Sequence, residues 1–257
     1  EKILQKTFPS VRHGSIVLVP QQLASITLVG EQKWSSSGPL DQVLLPFFLA
    51  SSLYGNIFRM ALVIVGLGNP GKEYEKTRHN AGRNAVELVA KQHDFDEFVF
   101  NKTSKALVSK GTIEKENATL VLPETMMNAS GKAVSTFIKT PKAAKNLLVI
   151  HDDLDLPVGT IKMVFGRGSG GHKGVESVMR AVKTQDFARI RIGVAPTGKK
   201  NQAKKLKDEE KVIKLVIGKW KSSEEAVVKK VLKKSAEAVR LFATEGIESA
   251  TQFANTR

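Results

Sequence analysis

The stretch ALVIVGLGNPGKEYEKTRHNAG, residues Ala61 to Gly82, decides how the rest of the chain is read. LVIVGL has the unbroken apolar character of a strand buried on both faces. GLGNPG, Gly66 to Gly71, then spells the G-x-G-x-x-G of a dinucleotide-binding turn. In that fold the third glycine lies within the opening turn of a helix, whose N-terminus meets a pyrophosphate. Here ten residues, GKEYEKTRHN, intervene before a helical pattern begins at Ala81. The turn therefore opens into a loop instead of placing a helix N-terminus under a pyrophosphate, and its glycines and Pro70 bend the chain tightly. A nicotinamide- or flavin-dependent oxidoreductase would rest on GLGNPG alone.

Outward from this stretch, strands and helices alternate. AGRNAVELVAKQ (Ala81–Gln92) is an amphipathic helix, and KALVSKGTIEKENATLVLPE is a hairpin turning at Glu114–Asn117. Asn128–Lys139 has helical periodicity despite Gly131. NLLVIHDD is an apolar strand that ends in charge, and GTIKMVFG is a short strand. The glycine-rich GRGSGGHKG leads into a helix over Val175–Lys183. ARIRIGVAP alternates basic and apolar residues, as a strand with one polar face does. Helices over Ser223–Thr244 and Ile247–Asn255 finish the chain. The alternation predicts a three-layer α/β sandwich around a mixed, mostly parallel sheet.

Upstream of Met60, the first methionine, the text is different. Residues 1–59 carry five basic and three acidic residues, so most of the net charge of +15 belongs to residues 60–257. SIVLVP and ASITLVG read as two short strands of a hairpin, and WSSSGPLD as a loop. The eight serines raise the possibility of a targeting peptide, but no Arg-rich amphipathic helix accompanies them. We expect an appended segment, 1–59, and a catalytic domain, 60–257.

Composition narrows the chemistry. The chain of 257 residues has no cysteine, which removes thiol catalysis, disulfides and cysteine-ligated zinc. No apolar run reaches the ~20 residues of a membrane span. A charge of +15 from 40 Lys+Arg against 25 Asp+Glu favours polyanionic partners. Without a thiol, histidine is the natural base near neutral pH. Of five histidines, His79, His151 and His172 fall in polar clusters at strand ends, where sites collect in α/β sheets. Spacing alone does not say which histidine pairs with which aspartate. His151 and Asp153 beside Asp152 suggest a metal site, but neighbours on a strand face opposite ways.

Four ordered motifs then carry a resemblance: VIVGLGNPGKEYEKTRHNAG, PETMMNASGKAV, HDDLDLPVGTIK and GSGGHKGVESV. Together they closely resemble the bacterial-type peptidyl-tRNA hydrolase family, and RIRIGVAP with the helical tail extends the match over nearly all of 60–257. The resemblance implies a monomeric, cytoplasmic esterase without metal or cofactor, which cleaves the ester between a peptidyl group and the 3′ ribose of tRNA. It implies that His79 is the catalytic base and that Asp152 supports it. Asn69 would discriminate blocked from free aminoacyl-tRNA, and Asn128 would position the substrate and also serve as a helix N-cap. Tyr74 and Met126 fall on tRNA-contacting positions, and His172 lines the same cleft. Lys173 departs from the family's usual GGHNG, and Met126 replaces a frequent aromatic, which implies altered affinity rather than lost chemistry. Arg167, Lys173 and part of the thirteen lysines between Lys199 and Lys234 are expected to meet tRNA phosphates. The rival reading is a non-catalytic RNA-binding protein on the same scaffold.

Overall fold

The structure, a computed structural model, describes residues 61–198, 202–204 and 208–256. The hairpin expected within residues 15–30 lies outside the described residues, as does the loop of residues 34–41.

Seven strands form one sheet in the order β2-β3-β4-β1-β5-β7-β6. They are β1 (Leu62–Gly66), β2 (Val99–Asn101), β3 (Ala106–Ile113), β4 (Glu116–Pro123), β5 (Leu147–Pro157), β6 (Ile161–Phe165) and β7 (Ala188–Ala195). The four central strands β4, β1, β5 and β7 run parallel. The flanking pairs β2–β3, β3–β4 and β6–β7 are antiparallel. The sheet is mixed, with its parallel part at the centre, where helices cover both faces. The longer helices are α1 (Ala81–Gln92), α2 (Ser130–Val134), α3 (Lys173–Val182), α4 (Glu209–Val216), α5 (Ser222–Thr244) and α6 (Ile247–Asn255).

Strand parity sorts the core into two halves. Ile64, Leu120, Leu148, Ile150 and Ile190 meet α1, α5 and α6 through residues such as Val86, Val239 and Ala250. Val63, Val65, Val121, Leu147 and Val149 meet α2 and α3 through Ala133, Val134, Val175 and Val178. These layers are the expected sandwich.

Several expectations need correction. Asn128–Lys139 is not one helix: a 3-10 turn, Met127–Ala129, precedes the five-residue α2. The Ser135 and Thr136 hydroxyls fold back on the Lys132 and Ala133 carbonyls there, competing with helical hydrogen bonding. β5 does not end in charge but continues to Pro157, paired with β7 as far as Ala195 across a register shift after Asp153. β7 has no open polar face, because Arg189 is buried and Arg191 largely covered. β2 and α4 are additions to the expected elements.

Candidate active site

β1 ends at Gly66, opposite Ile150, so Asp152 lies two residues beyond its neighbour's end, in the crevice at the carboxyl ends of the parallel strands. That crevice is where sites form in open α/β sheets. The turns after β1, β4 and β6 converge on it.

The loop after β1 is held from within. The Asn69 N–H donates to Asn80 Oδ1 at 2.8 Å, and Asn80 Nδ2 donates back to the Asn69 carbonyl at 3.0 Å. This approach needs the bare backbone of Gly68, since a Cβ there would lie 2.8 Å from Asn80 Oδ1. Gly71 has φ +106°, a conformation that favours glycine. Asn69 Oδ1 in turn accepts the Met127 N–H at 2.8 Å, joining the loop to the turn after β4. The Met127 side chain fills the space beside Gly174, joining both to the start of α3. Asn69 Nδ2 has no protein partner among the described residues.

His79 stands in a 3-10 turn, Arg78–Asn80, immediately before α1. Its Nδ1 lies 2.9 and 3.0 Å from the two Asp152 carboxylate oxygens, so this nitrogen carries the proton and donates it. The lone pair is thereby placed on Nε2. His172 approaches the same carboxylate from the other side, with Nε2 2.9 Å from Oδ1. Its Nδ1 accepts the Gly174 and Val175 N–H groups and caps α3, so its proton is on Nε2. His151 is buried, its ring edge-on to that of His172 at 4.7 Å between centroids, and it does not bond the Asp152 carboxylate. Its Nδ1 donates to the Asp152 carbonyl at 2.7 Å, and its Nε2 accepts from Arg189 Nη1 at 3.2 Å. Asp153 pairs with Arg191 at 2.5 Å. The His151–Asp153 metal site is therefore not assembled. His79, Asp152 and His172 are close enough to ligate a metal, but the facing nitrogens are occupied by hydrogen bonds to the carboxylate.

Burial and charge oppose each other at the pair. Burial alone would lower the His79 pKa; the Asp152 charge and hydrogen bond outweigh it, so His79 sits above its ordinary value. Burial would raise the Asp152 pKa, but the two imidazoles hold it well below the usual carboxylate range. His151 is pushed well below its ordinary value by burial and by the neighbouring His172 and Arg189.

His79, Asp152, His172 and Lys173 line one cavity of about 400 Å³, walled on one side by Glu209, Val212, Ile213 and Val216 of α4. Lys173, the first residue of α3, is exposed and lies 3.7 Å from Glu176. Asn128 and Met126 flank the buried Met127 and are exposed, outside the cavity lining. Asn128 does not cap a helix; Ala129 precedes α2, and no side chain caps it. Tyr74 is half-buried in the β1 loop and does not line the cavity. Gly170 also lines a second cavity of about 470 Å³, bounded by Lys162, Arg167, Arg189 and Arg191. Asn80, Met127 and α4 are contributors that the sequence reading missed. Asn80 had a signal, a short amide beside His79 able to bond backbone; α4 had one too, Val212, Ile213 and Val216 at helical spacing behind the Asp208 cap.

The peptidyl-tRNA hydrolase family profile matches residues 63–257. A peptidyl-tRNA hydrolase of Koribacter versatilis is 40% identical over 186 residues, covering 72% of this chain and 87% of its own. One from a Hydrogenobaculum species is 37% identical over 199 residues, covering 77% of this chain and 99% of its own. The crystal structure of the Acinetobacter baumannii peptidyl-tRNA hydrolase superposes with a TM-score of 0.68 at 32% identity, over 76% of this chain and 95% of that one. With such matches spanning the sheet, both helical layers and the crevice, the chain belongs to the peptidyl-tRNA hydrolase family.

Proposed function

We propose that this hydrolase cleaves the ester between the peptidyl group and the 3′ ribose of peptidyl-tRNA, with His79 as the base. The observation that carries the assignment is the Nδ1 contact of His79 to both oxygens of a buried Asp152 at 2.9 and 3.0 Å. It leaves Nε2 to take a proton from water as the water oxygen bonds to the ester carbonyl carbon. The tetrahedral adduct collapses by breaking the bond to the ribose 3′ oxygen, and His79 Nε2 returns its proton to that oxygen. Asn69 Nδ2, with no protein partner among the described residues, is left to meet the peptide or the developing oxyanion, although Asn69 does not line the His79 cavity. Asn128 and Met126, on the turn bonded to Asn69, meet the tRNA end, as does Tyr74 of the β1 loop. His172 holds the carboxylate, and Lys173 offers a cation where the family's amide stands.

The neighbouring cavity supports the tRNA side of the reading. Lys162 and Arg167 are exposed there, beside the buried Arg189, and suit backbone phosphate. The reaction is assigned to residues 60–257 of a monomer working in the cytoplasm, where translation supplies the substrate. Among the described residues no helix is long and apolar enough to cross a membrane.

The test is turnover of a blocked aminoacyl-tRNA. His79→Ala should lose activity by roughly 10²–10⁴-fold, the usual contribution of a general base, while tRNA binding persists. Near-native turnover in that variant would refute the base. No turnover by the wild-type chain, with tRNA still bound, would instead support the non-catalytic RNA-binding reading.

A further inference from the structure

His79 is held by Asp152 on one side, and the residues before it are held on the other. The Arg78 N–H donates to the Gly218 carbonyl at 3.1 Å, and Thr77 forms an antiparallel bridge with Lys219. The Arg78 side chain is buried, with its guanidinium 4.6 Å above the Trp220 ring and Nη2 2.8 Å from Glu224 Oε2. The same Glu224 oxygen accepts the Lys221 N–H at 2.8 Å, closing the start of α5. Gly218, Lys219, Trp220 and Lys221 lie on the short link between α4 and α5, and Glu224 lies in the first turn of α5.

That link matters because α4 has little else to place it. It is eight residues long and buries only Val216, and helices of this length are marginal without tertiary support. Yet α4 supplies Glu209, Val212, Ile213 and Val216 to the wall of the His79 cavity. The anchor of the wall and the anchor of the base are therefore the same two residues, Thr77 and Arg78.

We propose that Arg78 is a positioning residue that couples the α4 wall to the orientation of His79, so that seating substrate against α4 and aligning the base are one event. Arginine suits the role, because a planar guanidinium can stack on an indole and pair with a carboxylate at once, and an ammonium cannot. The proposal rests on His79 being the base. Displacements of about 1 Å can cost about 100-fold in rate.

The experiment compares wild type with Arg78→Gln, Arg78→Lys, Glu224→Gln and His79→Ala, measuring kcat, KM and the pH profile of kcat/KM on a blocked aminoacyl-tRNA. Glu224 does not line the cavity, and its isosteric amide weakens the hold on Arg78 without removing the guanidinium. Arg78→Gln should lower kcat by roughly 10- to 100-fold, raise KM and move the acidic limb down, as His79 loosens from Asp152. Arg78→Lys should recover part of the loss, and Glu224→Gln should show a smaller change of the same pattern. Should Arg78→Gln fail to fold, Glu224→Gln decides alone. Variants that lose thermal stability while keeping wild-type kcat, KM and pH limb would overturn the coupling, with the base unaffected if His79→Ala is inert. Activity in His79→Ala would instead remove the base on which the proposal rests.

Discussion

Asp152 Oδ1 accepts from His79 and His172 at once, each at 2.9 Å, while Oδ2 is 3.0 Å from His79. An amide in its place offers one acceptor oxygen, and its NH₂ would face an imidazole that needs an acceptor. Asp152→Asn therefore frees His79 Nδ1 to lose its proton to Nε2, the tautomer unable to accept from water. Its charge also vanishes, and with it the influence that holds His79 above its ordinary pKa. In the proposed role of base the working form of His79 is neutral, so activity should fall as pH drops through its pKa, and lowering that pKa should move the acidic limb to lower pH. We expect kcat to fall by roughly 10²–10⁴-fold and the limb to shift down, measured as rate against pH. An unchanged limb would remove Asp152 from the base's support. The types of these residues were legible, as histidines and aspartates at strand ends. Their pairing was legible only through the resemblance of the four motifs and not from spacing, because it joins positions 73 apart and depends on two strands ending at different heights. Arg189 was misread for a related reason. Its alternation suggested water, but its guanidinium is covered by the Arg167 and Gly168 carbonyls and by His151.

Elements with strong periodicity were readable almost to the residue: α1 and α6 match their expected bounds, and α5 starts one residue early. β2 and α4 escaped because they are only three and eight residues long, although EEKVIKLV does set Val212, Ile213, Leu215 and Val216 at helical spacing. Close packing between elements was also beyond pattern. α1 sits so near β5 that a Cβ on Gly82 would overlap the Ile150 carbonyl. α1 begins directly after the His79 turn, and Ile150 lies two residues before Asp152, so this contact sets the distance between base and carboxylate. Gly82→Ala should therefore cost about 1–3 kcal/mol of stability by overpacking, read from denaturant midpoints at constant m. It should also lower kcat more than KM rises. Native stability in that variant would mean that the helix shifts freely on the sheet.

Over the whole molecule, a charge of +15 favours a polyanionic partner. Lys162 and Arg167 stand at the β6–β7 edge beside the His79 cavity, while Asp94, Asp96 and Glu97 lie near the opposite edge at β2. Binding of tRNA should weaken steeply with salt, and Lys162→Ala with Arg167→Ala should reduce the slope of log K against log salt by about one per lost contact. An unaltered slope would place the phosphates elsewhere. The consecutive residues His151, Asp152 and Asp153 have a consequence for how the chain can change length. They serve three separate partners: Arg189, the two imidazoles, and Arg191. Parity along a strand is two, so one residue gained or lost between Leu147 and Asp152 would exchange these partners wholesale and bring His151 or Asp153 to the base. Insertions should be tolerated by this arrangement in the loops and not in these six positions, so the register of β5 is part of what holds the proposed base to its carboxylate.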